Sequence, residues 1–272
     1  MKKLLFVPMS VLLVVACGET GDADIAVPES VASSEVISGV DATDEQVEKH
    51  GALFFNGSYI CGGTYIGEGN GKFWALTAAH CVDGAGQVSM GFGKRNRNDY
   101  NSSNTSVSEA IIVHENYSSL DFDIAVVQFA SEPAGATAVP LADASTTVSD
   151  GQNTDVVGFG ITQEFGFLCS IFGFRCPSSA TQLQTGRVDI LNNTTCNQLA
   201  PGTVTDRMVC TLDNDSNVQG SCNGDSGGPL YLTDGRQVGL VSWGISGCDV
   251  DSPSVYASVP SLRGWITANT GV

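Results

Sequence analysis

Positive charge is scarce in this chain. Twelve Lys and Arg stand against 29 Asp and Glu, for a formal net charge of −17. From Val36 onward 24 acidic residues face 10 basic ones, a net of −14. Affinity for nucleic acid rests on Lys and Arg neutralising phosphates, so this balance argues against nucleic acid as a partner. It favours solubility and draws in basic substrates at low salt. Histidine is scarcer still, with three in 272 residues, so a catalytic base has few candidates. No Cys-x-x-Cys pair occurs, and a structural zinc site usually needs that spacing. The one long apolar run, Leu4 to Val15, is too short to cross a bilayer comfortably. No internal repeat is visible, which argues against a repeat array.

What is plentiful is glycine, 32 residues, in a chain 42% hydrophobic and 8% aromatic. Short apolar runs punctuated by Gly, Asn and Ser, such as Leu53-Phe54-Phe55, Phe73-Trp74-Ala75-Leu76 and Ile111-Ile112-Val113, predict an all-β architecture. Asp99 to Ser108 is polar and predicts a surface loop. The first residues read as an address: Lys2-Lys3, the apolar run, then Ala16 before Cys17. Val14-Val15-Ala16-Cys17 resembles a bacterial lipobox, which would make Cys17 a lipidation site; the alternative is an ordinary cleaved signal. Residues 18–35 are small and acidic and read as a linker or pro-segment. Nine cysteines are an odd number, but eight remain once Cys17 is set aside, which suits disulfides in an oxidising compartment. Spacing alone does not assign their pairs.

The organising stretch is Gly224-Asp225-Ser226-Gly227-Gly228-Pro229. Glycines on both sides let a serine stand on a sharp turn with nothing blocking a substrate. The N–H groups of Gly224 and Ser226 can then face the oxygen that turns negative in acyl transfer. A base and its orienter are available elsewhere. Leu76-Thr77-Ala78-Ala79-His80-Cys81 sets a histidine after an apolar run, and Asp123-Ile124-Ala125-Val126-Val127 sets an aspartate at the mouth of a strand. His50 and His114 are expected in structural or solvated roles. Asp121 competes with Asp123 as orienter but lacks the following Ile-Ala, and is expected to be solvated.

With these stretches in view, the chain resembles the trypsin/chymotrypsin family of serine proteases, whose order is His, Asp, Ser. The resemblance runs from about Val36 to the C-terminus. It implies His80 as general base, Asp123 as its orienter, Ser226 as nucleophile, and Gly224 and Ser226 as the oxyanion hole. It implies two packed antiparallel six-stranded β-barrels, about 36–145 and 146–258, with a closing helix at about 259–270. Val36-Ile37-Ser38-Gly39 resembles the family's mature N-terminus, so cleavage after Glu35 would free the Val36 amine to pair with Asp225; a plain first strand is the other reading. Family zymogens usually carry Arg or Lys where Glu35 stands. Implied disulfides are Cys61–Cys81, Cys196–Cys210 and Cys222–Cys248, with Cys169–Cys176 as a local clip. No cofactor and no required metal are expected, since no carboxylate cluster stands where the family's calcium loop lies.

Specificity follows by matched position. Gly220 would form the pocket floor without the charge that binds Arg or Lys. Ser242-Trp243-Gly244 would pair with substrate backbone as an added strand, with Gly244 leaving the mouth open. Ser254 would shorten the interior. A neutral P1 residue (the side chain before the cut), such as Leu, Met, Phe or Tyr, is expected; Asp249 or Asp251 turning inward would restore a basic preference. The insert from Phe165 to Cys176 carries four phenylalanines, at 165, 167, 172 and 174, and reads as a contact surface or as aromatics folded back on the barrel. The expected partners are protein or peptide substrates and, through Cys17, a membrane, with the chain exported and acting as a monomer. A catalytically dead binding relative and a surface adhesin remain the other function classes, separable by Ser226→Ala.

Overall fold

A computed structural model of the chain describes residues 36–161, 179–200, 204–212, 219–244, 248 and 251–272. Strand β1 (Val40–Asp41) and helix α1 (Asp44–Lys49) come first. There follow β2 (His50–Phe55), β3 (Ser58–Gly69), β4 (Lys72–Thr77), the single turn α2 (Ala79–Val82) and β5 (Ser89–Phe92). Then come β6 (Ser106–Val107), β7 (Ala110–Val113) and β8 (Ala125–Phe129). The second half holds β9 (Asn153–Gly158), β10 (Gln184–Leu191), α3 (Asn193–Leu199), β11 (Met208–Leu212), β12 (Pro229–Leu232), β13 (Gln237–Gly244), β14 (Ser254–Ser258) and α4 (Val259–Thr270).

Both sheets are antiparallel and both close. The first runs β6-β5-β2-β3-β4-β8-β7, and its two ends are halves of one strand broken at Ser108. There Ser108 donates its N–H to the Val88 carbonyl (2.9 Å) while its hydroxyl accepts from the Val88 N–H (3.1 Å). One half therefore pairs with β5 and the other with β8, which gives a six-stranded barrel. The second sheet closes through β9 on β10, from Gln184↔Gly158 to Asp189↔Asn153, so β10-β11-β14-β13-β12-β9 is again a ring of six. Asn56-Gly57 and Asn70-Gly71 make the tight hairpins of β2–β3 and β3–β4, all four at positive φ, as two-residue loops matched to the strand twist require.

Two details differ from the sequence reading. Residues 36–41 sit with the second barrel, not the first: β1 pairs with β10, and Val36 is buried among Val156, Val188 and Leu230. The stretch 99–108 is not all loop, because Ser106–Val107 finds free edge groups on β5. Helix α4 starts at Ser258, whose hydroxyl accepts the Ser261 N–H, and ends at Gly271 in the left-handed region. Its Leu262 and Ile266 pack on Leu76, Ile124, Leu240 and Ala257, so the helix fastens strands of both barrels. Each such burial stabilises by about 1.5–3 kcal/mol. Among the described residues no helix is long and apolar enough to cross a membrane.

His50 lies between the barrels, 1% exposed and edge-on to the Phe159 ring at 5.3 Å. Neither ring nitrogen has a hydrogen-bond partner among the described residues. Burial disfavours the charged ring and pushes its pKa down to about 3. The unfolded chain therefore binds this proton between pH 6.5 and 3 while the folded chain does not. That contribution to stability is intact above pH 6.5 and is lost as pH falls toward 3. His50→Leu should become more stable relative to the parent by about 1.4 kcal/mol per pH unit across that window. Urea unfolding at several pH values measures this, and a pH-independent difference would contradict it.

Candidate active site

The site lies where the two barrels meet. Strand β4 delivers Thr77, whose hydroxyl donates to the Gly62 carbonyl (2.8 Å), and α2 then presents His80. The Cys61–Cys81 disulfide ties that turn to β3. Asp123, 1% exposed at the entry to β8, accepts three hydrogen bonds. Its Oδ1 takes the His80 backbone N–H at 2.8 Å, and its Oδ2 takes His80 Nδ1 at 2.7 Å and the Ser242 hydroxyl at 2.5 Å. A carboxylate only accepts, so the ring proton sits on Nδ1 and Nε2 carries the lone pair. The His80 side chain is 30% exposed.

Ser226 stands on a turn anchored from outside. Asp225 N–H donates to the Cys222 carbonyl (3.0 Å), Gly228 N–H to the Asp225 carbonyl (2.8 Å) and Gly227 N–H to Val241 of β13 (2.8 Å). Gly224 and Gly227 take φ +103° and +75°, a region that strains any side chain. The carbonyls of Asn223 and Asp225 accept from Ile161 (2.9 Å) and Gly228. In a trans peptide the N–H points opposite to the C=O. The N–H groups of Gly224 and Ser226 are thus turned away from these anchors. Among the described residues neither donates to a protein acceptor.

The turn touches the histidine segment directly. Gly62 N–H donates to the Ser226 carbonyl at 2.7 Å. A Cβ on Gly227 would fall 2.3 Å from Thr77 Oγ1 and 3.0 Å from the Ala78 nitrogen. The Ser226 hydroxyl makes no hydrogen bond to the His80 ring among the described residues; Nε2 lies 3.6 Å from Cys81 Sγ. Contacts of this kind are often long without substrate and tighten when it binds.

Asp225, between the two N–H groups, is fully buried. Its carboxylate accepts from Gly160 N–H at 2.7 Å and Cys222 N–H at 2.8 Å. Burial outweighs these bonds and pushes its pKa up to about 7. A Cβ on Gly158 or Gly160 would lie 2.0 or 2.2 Å from its oxygens, so both glycines exist to admit it. Beside this seat Ile37 bridges Gly220, and Gln219 Nε2 donates to the Ser38 carbonyl at 2.9 Å. Ser38 takes φ +54°, a conformation that glycine adopts with less strain. Val36 is internal to this chain and offers no amine.

Around the pocket, Gly220 is buried and Tyr256 is fully buried, its hydroxyl donating to Ser221 at 3.4 Å. Ser254 and Trp243 are half-buried, Gly244 is open to solvent with nothing nearer its Cβ direction than Pro253 O at 4.0 Å, and Asp251 is exposed. Cys222–Cys248 and Cys196–Cys210 are bonded. The Cys169–Cys176 clip, the phenylalanine-rich insert, Asp249, Glu35 and Cys17 lie outside the described residues. His114 is buried between Trp265 (5.0 Å) and Phe122 (4.5 Å). Asp121 corrects its expectation: it is ion-paired to Arg207, whose Nε lies 3.0 Å from Oδ1, rather than solvated. Cys61, His80 and Cys81 bring three ligand atoms within 4.8 Å, but the sulfurs are bonded to each other, so the set does not suit a metal. Sequence reasoning missed the hydroxyl of Ser242 as the third donor to Asp123; nothing local marks it.

A histidine–carboxylate pair beside a serine turn, set between two closed antiparallel barrels, defines a serine hydrolase of the two-barrel class. The family model described as Trypsin matches residues 36–266. Brachyurin of Leptuca pugilator is 33% identical over 246 residues, 87% of this chain and 99% of its own. Transmembrane protease serine 11E of Mus musculus is 32% identical over 88% of this chain, which spans only 56% of that protein. Among solved structures, neuropsin, a serine protease expressed in the limbic system of mouse brain, superposes with TM-score 0.71 at 26% identity, covering 86% of this chain and 99% of that one. The chain belongs to the trypsin family, and it is a serine endopeptidase. These three relatives are animal proteins, and they lend no support to the bacterial character expected from Val14–Cys17.

The buried charge makes a signed prediction. Asp225 holds its proton to about pH 7 in the folded chain, against an ordinary value of 3.8. Its contribution is favourable below pH 4 and is lost as pH rises to 7. Asp225→Asn should therefore gain stability relative to the parent chain of 272 residues by about 1.4 kcal/mol per pH unit from pH 4 to 7. Denaturant unfolding measures it; a flat difference would mean the carboxylate has a counter-charge.

Proposed function

We propose that this endopeptidase is made as an exported zymogen, is freed by cleavage before Val36, and cuts protein chains after a neutral P1 residue. The observation that carries the catalytic part of this reading is Asp123, buried and holding His80 through both Nδ1 and the backbone N–H. Serine is a weak nucleophile at its free pKa and needs a base to take its proton as it attacks. His80 Nε2 takes the proton from Ser226 Oγ as the C–O bond forms to the substrate carbonyl carbon. Asp123 stabilises the imidazolium. The carbonyl oxygen, now negative, sits against the N–H groups of Gly224 and Ser226. His80 then protonates the leaving amine, and water attacks the acyl group on Ser226 by the same route.

Cleavage before Val36 would supply an ammonium to Asp225, a buried carboxylate held by two backbone N–H groups. Pairing two buried charges offsets a desolvation cost that neither bears well alone. The seat of residues 37–38 against Gln219 and Gly220 supports this reading. Gly220 on the floor and open Gly244 support a P1 side chain that is neutral and large. Residues 1–17 are read as the export signal, with Cys17 lipidated to hold the protein at a bacterial envelope and the catalytic unit acting as a monomer.

A P1-varied peptide panel, given to protein whose N-terminus is Val36, tests the reading. Cleavage should follow Leu, Met, Phe or Tyr and vanish in Ser226→Ala. Cleavage after Arg or Lys would keep the chemistry and overturn the pocket. Activity surviving in Ser226→Ala would overturn the nucleophile.

A further inference from the structure

The geometry points to Tyr59 of β3 as a positioning residue for the oxyanion turn, an inference resting on the roles of Ser226 and Gly224 proposed above. Its hydroxyl donates to the Gly224 carbonyl at 2.7 Å, across 165 residues and from one barrel to the other. Gly224 sits at φ +103° and has no side chain to hold it. It joins two peptide planes, and each needs an outside anchor. The plane before it is held by Ile161 N–H on the Asn223 carbonyl. The plane after it is held by Asp225 N–H on Cys222 and, at its carbonyl, by Tyr59. Fixing both planes fixes where the Gly224 N–H points, and that N–H is one of two that would meet the developing oxyanion. Preorganised donors act because they need no reorientation as charge forms.

Tyr59 is built to hold this bond. Its ring is edge-on to Phe159 at 5.7 Å and to Phe54 at 5.9 Å, and the Arg97 guanidinium lies 5.0 Å over its face. Arg97 is itself pinned, its side chain donating to the Ser179 carbonyl at 3.1 Å and its N–H to Thr181 at 2.8 Å. Burial first, and then the nearby Asp225 carboxylate, keeps the phenol protonated. The hydroxyl is thus a donor throughout the working pH range, which is what a carbonyl needs. Without it the Gly224 carbonyl loses its partner, and the plane keeps only the Asp225 N–H bond to Cys222.

Two variants of the enzyme processed to Val36 test this. Tyr59→Phe keeps the ring and removes only the donor. Phe54→Leu loosens the aromatic packing and leaves the donor. Tyr59→Phe should lower kcat about tenfold with KM unchanged, as expected for a bond that matters most in the transition state. The affinity of a peptide boronate, which forms a tetrahedral adduct on Ser226, should weaken by the same factor. A non-covalent product peptide should bind as in the parent. Phe54→Leu should lower Tm and leave boronate affinity unchanged. Boronate affinity unchanged in Tyr59→Phe, or lowered equally by both variants, would overturn the role of Tyr59. A fluorophosphonate separates the two layers. If it labels Ser226 in the parent while Tyr59→Phe behaves as the parent, only the positioning role falls. If the parent is not labelled, the catalytic reading falls and Tyr59 with it.

Discussion

The candidate catalytic face depends on one carboxylate sealed from water. Asp225 lies between the two N–H groups that the reaction would use, and its side chain reaches inward, not toward the cleft. Its seat exists only because Gly158 and Gly160 have no Cβ, and two backbone N–H groups are its hydrogen-bond partners there. Hydrogen bonds of that kind favour the charged form, yet burial wins and lifts its pKa to about 7. The turn that carries Ser226 is therefore wrapped around a group whose charge is poorly compensated. A cation delivered to this seat would both stabilise the turn and set its N–H groups. A neutral residue there would leave the turn intact and remove that control.

The candidate catalytic groups come from both barrels, so the site is only as well defined as the seam between them. The first barrel supplies His80, Asp123 and Tyr59, and the second supplies Ser226, Ser242 and Gly220. Four ties span the seam near the site: Ser242 to Asp123, Gly62 to the Ser226 carbonyl, Tyr59 to the Gly224 carbonyl, and the close approach of Gly227 to Thr77. Behind them helix α4 sets Leu262 and Ile266 against strands of both barrels. Small displacements of reacting groups cost large factors in rate. That explains why hydrogen bonds, a close glycine contact and apolar packing all cross the same boundary.

Much of this was legible in the residues. The turn at Gly224–Pro229 announces itself because positive φ at Gly224 and Gly227 demands glycine in the sequence. His80 and Asp123 could be found because three histidines leave little choice, and because each sits beside an apolar strand. Short apolar runs pointed to an all-β chain, and the two six-stranded barrels came from the family resemblance. What stayed hidden depends on partners far apart in the chain. Asp121 meets Arg207 across 86 residues, and no local pattern separates an ion-paired aspartate from a solvated one. Ser242 reads as part of a strand along the substrate, and nothing in its sequence shows that its hydroxyl binds Asp123. Tyr59 reads as an ordinary strand aromatic until the fold sets it beside Gly224. Residues 36–41 were assigned to the first barrel by order in the chain, but Val36 is drawn into the core of the second.

The most direct measurement compares turnover of one good peptide by two proteins, one beginning at Val36 and one beginning at Glu35. A single added residue leaves every contact of the barrels in place but removes the amine from the seat of Asp225. The account predicts turnover only from the protein that begins at Val36, with Ser226 of the other reacting far more slowly toward a fluorophosphonate. Equal turnover by both would contradict it and show that Asp225 needs no cation to hold the turn.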